Sequence, residues 1–281
     1  FKTFPGGKGA NQAVACARTG GAPTHMLLAL GNDAFATPIE ASLSEAHVQV
    51  HLVRVPGHPT GTAFICVSDD AENAITVAPG ANEHLHAKDL PPLAGFTHLL
   101  LQLETPLATV TAYAQAAKAQ GVTVVLNAAP AQRLPAELLD LVDVLVVNQG
   151  ELATVAGHNG SIAEGLERIS TPTVVVTLGH HGCCARNQGQ WVWQPAFKVT
   201  PVDTTAAGDT FCGGLVAALA QGADMAQALR QASAAGALAC TQPGAQSSIP
   251  HAADVAGFLT SQAPEPSASE MQTLRNFCGL G

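Results

Sequence analysis

The segment Val-Asp-Thr-Thr-Ala-Ala-Gly-Asp-Thr-Phe at residues 202–211 is the sharpest candidate for chemistry. Small residues at 206–208 let the backbone approach a ligand closely, and a helix is predicted to begin at about Asp209. The free N–H groups of a first helical turn, with the helix dipole, form an anion site that suits a phosphoryl group. A carboxylate there can accept the proton of an attacking hydroxyl, as phosphoryl transfer requires. Asp209 is therefore predicted to be a general base, with a simple helix cap as the alternative.

The string Gly-Gly-Lys-Gly-Ala-Asn-Gln at residues 6–12 precedes a helix predicted from about Ala13 to Thr19. It lacks the Walker A spacing, and Gln12 stands where a dinucleotide-binding motif needs its third glycine, so both nucleotide motifs are excluded. A flexible loop that offers backbone N–H groups, Lys8 and the Asn11 amide can bind a polyol. A plain turn is the alternative.

Two further segments are candidates for nucleotide and metal binding. The pair Asn148 and Glu151 places an amide and a carboxylate one helical turn apart, which suits a phosphate-bound metal, with helix capping by Asn148 as the alternative. Residues 177–182, Thr-Leu-Gly-His-His-Gly, can pass their backbone against a nucleotide or form only a βα turn. A zinc site at His180 and His181 is rejected, because adjacent side chains diverge and no third ligand is suitably spaced.

The elements that must position these residues alternate between strands and helices. Apolar strands are predicted at 97–103, 122–126, 141–147 and 173–178, with an Ala-rich helix at 108–120 after the first. This alternation predicts an α/β fold, a doubly wound, mostly parallel sheet flanked by helices, with ligands at the carboxyl ends of the strands. Those ends carry Glu104, Asn127, Asn148 and Gly179.

Residues 49–81 have a different, antiparallel character. Gln49 to Arg54 alternates, two β-rich runs follow, and Asp69–Asp70 separates them as a turn. We expect a small, incomplete β lid here. Residues 260–281 begin with a Pro- and Ser-rich stretch and are predicted to form a flexible tail.

Composition excludes several classes of protein. The 281 residues include 12 Lys and Arg against 21 Asp and Glu, so the net charge of -9 argues against nucleic acid as a partner. No apolar stretch reaches the roughly 18 residues of a membrane span. Seven cysteines without a Cys-x-x-Cys pair favour reduced thiols, and hence a cytoplasmic or also a nuclear location.

Taken together, the motifs resemble the ribokinase family of carbohydrate kinases, from Gly6 to about Leu259. The resemblance rests on the strings at 6–15 and 203–211, and on shorter pieces in matching order: Gln102-Leu103-Glu104, residues 126–131, Asn148 with Glu151, residues 177–179, and residues 243–248. It implies one kinase domain over residues 1–259, which uses ATP to phosphorylate D-ribose at its 5-hydroxyl.

The resemblance also implies residue roles. Asp209 would be the base, and the amides of Ala206, Ala207 and Gly208 would hold the phosphoryl charge. The expected sugar-binding residues are Gly7, Lys8, Gly9, Ala10, Asn11, Glu104 and Asp209. The expected ATP-binding residues are Asn148, Thr177, Leu178, Gly179, His180, His181, Gly182, Gly208, Asp209 and Ser233. Glu151 would order the Mg²⁺ shell, and K⁺ would bind beside Asp203, Thr205, Ala239, Gln242, Gly244 and Ser248.

The sequence departs from the family pattern at its front. Family members carry a strand and an Asn-x-Asp sugar-binding motif before the Gly-Gly-Lys-Gly string, whereas only five residues precede it here. We therefore expect a truncated sugar-binding half and an incomplete lid, which puts the family's lid-mediated homodimer in doubt. Two other hypotheses stay open: a non-catalytic nucleotide-binding chain, and a kinase for fructose, adenosine or another ribosyl compound.

Overall fold

A computed structural model of the chain describes residues 3–67, 73–263 and 265–280. The predicted turn at Asp69–Asp70 lies outside the described residues. No described helix is both long and apolar enough to cross a membrane.

A six-stranded sheet forms the centre of the molecule, in the order β10-β9-β8-β7-β6-β5. The four strands β5 to β8 are parallel, and β9 and β10 continue the sheet in antiparallel fashion. Their bounds are β5 His98–Leu101, β6 Thr123–Asn127, β7 Val144–Asn148, β8 Thr173–Thr177, β9 Gly182–Asn187 and β10 Gln190–Pro195. The four strands predicted from apolar runs are confirmed.

Helices cover both faces of this sheet, because successive strand residues are apolar on both sides. Val174 and Val176 face one core and Val175 faces the other, all fully buried. The helices are α1 Lys8–Gly20, α2 Ala36–Glu45, α3 Leu107–Ala119, α4 Ala136–Leu139, α5 Gln149–Ala156, α6 Ile162–Glu167, α7 Ala207–Ala220, α8 Met225–Ala239, α9 Ala252–Ser261 and α10 Ala268–Phe277. The first core contains side chains of α3, α5, α6 and α10, and the second contains those of α7 and α8. The predicted doubly wound α/β architecture is confirmed.

The front of the chain folds into a separate parallel pair of strands. Strand β1, His25–Leu30, pairs in parallel with β2, Gln49–Arg54, and α2 connects them. The prediction of an antiparallel lid strand at Gln49–Arg54 was therefore wrong. A crossover helix between two strands produces a parallel pair, and the alternation in β2 reflects packing on one side only.

Within the region predicted to form the lid, β3, Thr62–Val67, and β4, Asn73–Ala78, form an antiparallel hairpin. Phe64 and Val77 are exposed on it, at 51% and 56% of their surface. The hairpin thus presents apolar side chains to solvent, as an open lid does.

The C-terminal residues differ from the predicted flexible tail. Ser267 caps α10, and Leu274 and Cys278 are buried in the first core, at 2% and 0% exposure. Helix α10 is anchored by apolar residues that the composition of residues 260–269 does not reveal.

Candidate active site

Asp209 lies in the first turn of α7 and is hydrogen-bonded to α1. Its side chain is only 9% exposed. Oδ2 accepts from Asn11 Nδ2 at 2.9 Å, and Oδ1 accepts from Gln12 Nε2 at 2.9 Å. The predicted base is therefore surrounded by polar donors rather than by hydrocarbon.

The electrostatic surroundings of Asp209 suit a proton acceptor. Burial raises the pKa of Asp209, while the charge of Lys8 and the amides of Asn11 and Gln12 oppose that rise. A carboxylate with a raised pKa holds a proton more strongly, which favours its transfer from a hydroxyl.

The backbone before Asp209 has an unusual conformation. Ala206 is left-handed, with φ 58° and ψ 10°, and α7 begins at Ala207, two residues before the predicted start. The Ala207 N–H donates to Thr204 O at 3.2 Å, so one of the three amides predicted to bind phosphoryl oxygens is already engaged. The amides of Gly208 and Asp209 belong to the first turn, whose N–H groups have no acceptor within the helix.

The glycine-rich string at the front is mostly helical. Helix α1 begins at Lys8, five residues before the predicted start, after Gly7 with φ 91°. The reason lies far away in sequence: Lys8 N donates to Glu104 Oε2 at 2.8 Å, so a distant carboxylate stabilises the helix N-terminus. The expected sugar-binding residues thus meet in space, because Lys8 and Glu104 are bonded and Asn11 bonds Asp209.

The immediate neighbours of these residues are tightly packed. A side chain at Gly9 would lie 3.1 Å from Gln102 Oε1 and 3.2 Å from Met26 Cε, and Ala10 is buried at 5% exposure. Burial raises the pKa of Glu104, against the hydrogen bond and the charge of Lys8, while the Asp209 charge raises it further. Lys8 therefore stabilises two carboxylates that repel each other.

Three amide side chains at the site were missed as functional residues. Gln12 Nε2 donates to Asn127 Oδ1 at 3.0 Å as well as to Asp209, and Gln102 Nε2 donates to Gln12 Oε1 at 2.6 Å. The sequence placed Gln12 and Gln102 inside motifs and Asn127 at a strand end, without a role for any of them. The signal that could have found them is the location of Gln102 and Asn127 at the carboxyl ends of adjacent parallel strands.

Asn148 and Glu151 form a reciprocal cap on α5. Glu151 N donates to Asn148 Oδ1 at 2.8 Å, and Asn148 N donates to Glu151 Oε2 at 2.7 Å. The alternative of helix capping is thus what the structure shows, and it leaves Glu151 Oε1 outside the cap. Burial raises the pKa of Glu151, and the Asp209 charge raises it too, so this carboxyl lies near the predicted base.

The predicted nucleotide segment follows β8 as a tight turn. Gly179 and Gly182 have positive φ angles of 57° and 109°, and a side chain at Gly182 would lie 2.2 Å from Gln194 O. The His181 ring stacks on Phe277 of α10 at 3.9 Å between centroids, and it is tilted by 41° from the His180 ring at 4.0 Å. Ser233 of α8 lies nearby, with its Oγ 3.5 Å from Cys183 Sγ in β9.

The segments predicted to bind K⁺ come together beside the start of α7. Asp203 accepts from Thr205 N and from Gly244 N, both at 2.9 Å. The Thr205 side chain and these two backbone N–H groups lower the pKa of Asp203. Cys240 O accepts from Val202 N at 2.7 Å, which joins the end of α8 to the same segment. The remaining predicted positions lie in or beside the 239–248 segment: Ala239 ends α8, Gln242 N donates to Ala239 O at 3.3 Å, and Ser248 Oγ donates to Ala245 O at 2.9 Å.

The proposed K⁺ segments and the Glu151 carboxyl suit different metal ions. Backbone carbonyls, hydroxyls and one ionised carboxylate are oxygen ligands, which suit K⁺ but not a thiophilic metal. Within residues 3–67, 73–263 and 265–280, no group of three or more His, Cys, Asp or Glu side chains is arranged to hold a metal. Glu151 is thus a candidate to order the waters of a phosphate-bound Mg²⁺ rather than a member of a protein cage.

Known proteins match this chain over most of its length. Residues 1–252 match the pfkB family of carbohydrate kinases. The ribokinase of Haemophilus influenzae is 39% identical over 266 residues, which cover 90% of this chain and 87% of the relative.

Solved structures agree with that match. The ribokinase of Thermotoga maritima superimposes with a TM-score of 0.83 at 34% identity, covering 92% of this chain and 89% of the other. The Arabidopsis thaliana ribokinase, solved with ribose and ATP, gives a TM-score of 0.84 at 30% identity, covering 93% and 89%. Sequence, fold and site geometry lead to the same conclusion: the chain belongs to the pfkB family of carbohydrate kinases.

Proposed function

We propose that this chain transfers the γ-phosphoryl group of ATP to the 5-hydroxyl of D-ribose, giving ribose 5-phosphate and ADP. The observation that carries the proposal is the buried Asp209 at the N-terminal turn of α7, bonded to Asn11 of the front string. One residue then links the anion-binding turn to the sugar-binding helix, which is the juxtaposition that phosphoryl transfer to a sugar hydroxyl needs. The similar Arabidopsis thaliana ribokinase was solved with ribose and ATP bound, which supports these two molecules as the substrates.

In this mechanism, Asp209 accepts the proton of the 5-hydroxyl as the oxygen attacks the γ-phosphorus. Lys8, Asn11 and Glu104 hold the sugar, so that the hydroxyl is fixed within reach of the base. The first-turn amides of α7 stabilise the negative charge on the transferring group, and each such donor typically contributes about 3–4 kcal/mol.

The ATP would lie along the turn at residues 177–182, between Asn148 and Ser233. Mg²⁺, when bound to the phosphates, would offset their charge, and Glu151 is the residue we assign to its water shell. Asp209 and Glu104 also carry negative charge near this place, and Lys8 alone among the residues in these contacts opposes it.

The test is a substrate panel with product identification. ATP is supplied with D-ribose, D-fructose or adenosine, ADP formation is followed continuously, and the sugar product is identified by phosphorus NMR. We expect turnover with D-ribose and a product phosphorylated at O5. A clear preference for fructose or adenosine would show that D-ribose is not the main acceptor. ATP binding without turnover on any acceptor would favour the non-catalytic hypothesis.

Potassium activation is a second part of the proposal. The bond from Gly244 N to Asp203 and the bond from Val202 N to Cys240 O hold this segment against the 239–248 segment, directly before the anion-binding turn, so an ion bound there would fix the turn's shape. We expect a several-fold higher kcat in potassium chloride than in tetramethylammonium chloride at equal ionic strength. Equal rates in both salts would contradict the proposed ion site.

Two broader properties remain proposals. A reducing, cytoplasmic location is supported by the free thiols of all six cysteines whose side chains the structure describes. The homodimer that we expect to be in doubt for this chain is tested by sedimentation over a range of concentrations, and the exposed Phe64 and Val77 are the side chains that association through the lid would cover.

A further inference from the structure

Gln12 of α1 connects Asp209 of α7 to residues at the carboxyl ends of two strands, Gln102 after β5 and Asn127 of β6. The Gln12 side chain is fully buried, and its Nε2 group donates to both Asp209 Oδ1 and Asn127 Oδ1. An amide nitrogen carries two hydrogens, so these two bonds use both of them. Asp209 thereby receives one donor from each of two consecutive residues of α1.

The orientation of the Gln12 amide is fixed from both ends. Gln102 Nε2 donates to Gln12 Oε1 at 2.6 Å, so the oxygen of Gln12 is turned towards β5. Asn127 Nδ2 donates to Val146 O at 3.2 Å, so Asn127 presents its oxygen, and not its nitrogen, to Gln12. Both neighbours therefore require the N–H₂ group of Gln12 to point at Asp209.

We propose that Gln102 and Asn127 are positioning residues for the reaction, which act through Gln12 to hold the Asp209 carboxylate in its ionised form and in one orientation. This inference rests on the proposed function, since it assumes that Asp209 is the base. It goes further by assigning a directed chain of amides to the maintenance of that base. Gln12, Gln102 and Asn127 act through Asp209 and need not touch the substrate themselves.

Several charged groups surround Asp209, and their signs define the role of Gln12. Lys8 of α1 lowers the pKa of Asp209, and burial raises it. Glu104 after β5 and Glu151 of α5 are carboxyls whose own pKa values the Asp209 charge raises, and the buried Cys212 thiol of α7 is affected in the same way. Two carboxyls thus disfavour the ionised base, and the amides of Asn11 and Gln12 join Lys8 in favouring it.

Loss of the Gln12 donor therefore has a definite sign. Asp209 would lose one hydrogen bond to its charged form, so its pKa would rise further. The base works only when ionised, so activity is present above this pKa and is lost as the pH falls through it. The acidic limb of the kcat/KM profile should consequently move to higher pH.

The test compares the pH profiles of Gln12→Met and Gln102→Met with that of the unchanged protein. Methionine keeps the length of the side chain and removes its donors. For Gln12→Met, we expect the acidic limb to move up by about one pH unit, and kcat to fall about tenfold or more near neutral pH. Gln102→Met keeps the Gln12 amide that donates to Asp209 but removes the bond that fixes the orientation of that amide. A smaller shift of the acidic limb in the same direction is therefore expected.

A matched control separates this role from packing. Gln194 is a buried glutamine of β10, at 5% exposure, whose Nε2 donates to Pro195 O and has no bond to Asp209 or Gln12. Gln194→Met makes the same chemical change and should lower the melting temperature without moving the pH limb. A packing defect lowers activity by the same factor at every pH. If Gln12→Met and Gln102→Met lowered activity in that way, with no shift of the acidic limb, the proposal would be overturned.

A second measurement is independent of turnover. Protein labelled with ¹³C at the aspartate side-chain carboxyl is titrated by NMR, and the Asp209 signal is assigned by its loss in Asp209→Asn. We expect its titration midpoint to move up in Gln12→Met. An unchanged midpoint would refute the positioning role of the amides even if the enzyme is active. A shifted midpoint in a protein that phosphorylates no sugar would refute the proposed function alone.

Discussion

Asp209 combines in one residue the features that a proton acceptor for phosphoryl transfer needs. It is buried, bonded by Asn11 and Gln12, and located in the first turn of a 14-residue helix. Its raised pKa comes from burial, and the amides keep the ionised form accessible. Without these two donors, the same residue would be an ordinary acidic residue in the first turn of a helix.

The first prediction concerns this carboxylate. Asp209→Asn keeps the shape of the side chain and removes its basicity, so kcat should fall by about a thousandfold, within the range typical of a lost general base. Nucleotide affinity, measured by calorimetry, should change little. Asp254→Asn, in the exposed cap of α9, is the matched control and should leave both values unchanged. Ribose phosphorylation at a near-normal rate by Asp209→Asn would remove Asp209 from the mechanism.

Among single residues, the charged groups and the Asn11 amide of the glycine-rich string were predictable, whereas the roles of the Gln12, Gln102 and Asn127 amides were not. The sequence identified Asp209, Asn11 and Glu104 because their neighbours form long strings with few other interpretations. The bonds of Gln12 join residues 90, 115 and 197 positions apart, so no local pattern indicates them. Uncharged side chains acquire their role only from the tertiary contacts that orient them.

The helices α1 and α7 cross with almost no space between their backbones. A side chain at Gly213 would lie 2.5 Å from Gln12 O and 2.7 Å from Cys16 N, and one at Gly20 would lie 2.4 Å from Ala217 Cβ. This close approach is what allows short amide side chains on α1 to reach a short carboxylate on α7. The glycines therefore set the geometry of the site without entering it.

The second prediction follows from that crossing. Gly213→Ala must push α1 away from α7, because the clash is with backbone atoms that cannot rotate aside. We expect a loss of about 1–3 kcal/mol in the free energy of unfolding, measured in denaturant, and a lower kcat. Gly257→Ala in α9 meets nothing within 4 Å and should instead stabilise the protein by about 0.5–1 kcal/mol. A neutral Gly213→Ala would show that the two helices can move apart freely.

Elements were predictable where the pattern is local, and their ends were not. The strands of the central sheet follow directly from apolar runs such as Val174–Val176, which are buried on both faces. The start of α1 depends on Glu104, 96 residues from Lys8 in sequence, and the parallel pairing of β2 depends on β1. The C-terminal helix escaped prediction because its anchors, Leu274 and Cys278, are few and follow a polar stretch.

At the scale of the molecule, rigidity is unevenly distributed. Strands β6 to β8 lie between two helical layers with most residues fully buried, whereas the described part of the β3–β4 hairpin exposes Phe64 and Val77. Backbone that pairs with only one other strand and has few buried contacts opens most easily. The site lies against the buried centre, and we expect the exposed hairpin to respond to ligands.

The third prediction tests this distribution by hydrogen exchange and mass spectrometry. Without ligands, peptides from Thr62–Val67 and Asn73–Ala78 should exchange fastest, and those from Val144–Asn148 and Thr173–Thr177 slowest. Ribose and a non-hydrolysable ATP analogue together should slow exchange in the hairpin, while the central strands stay unchanged. A hairpin as protected as the central strands before any ligand is added would contradict its role as a mobile lid.

The hydrogen bond from Val202 N to Cys240 O has a practical consequence. Cys240 and Cys16 are half-buried, whereas Cys183, Cys184, Cys212 and Cys278 are fully enclosed, so in a Cys16→Ser background a maleimide dye reaches Cys240 far sooner than those four. A fluorophore coupled to Cys240 would lie beside residues 202–205, the segment whose shape the bound K⁺ is proposed to fix. Its emission would then give a direct optical titration of ion occupancy, with Cys240→Ser as the blank.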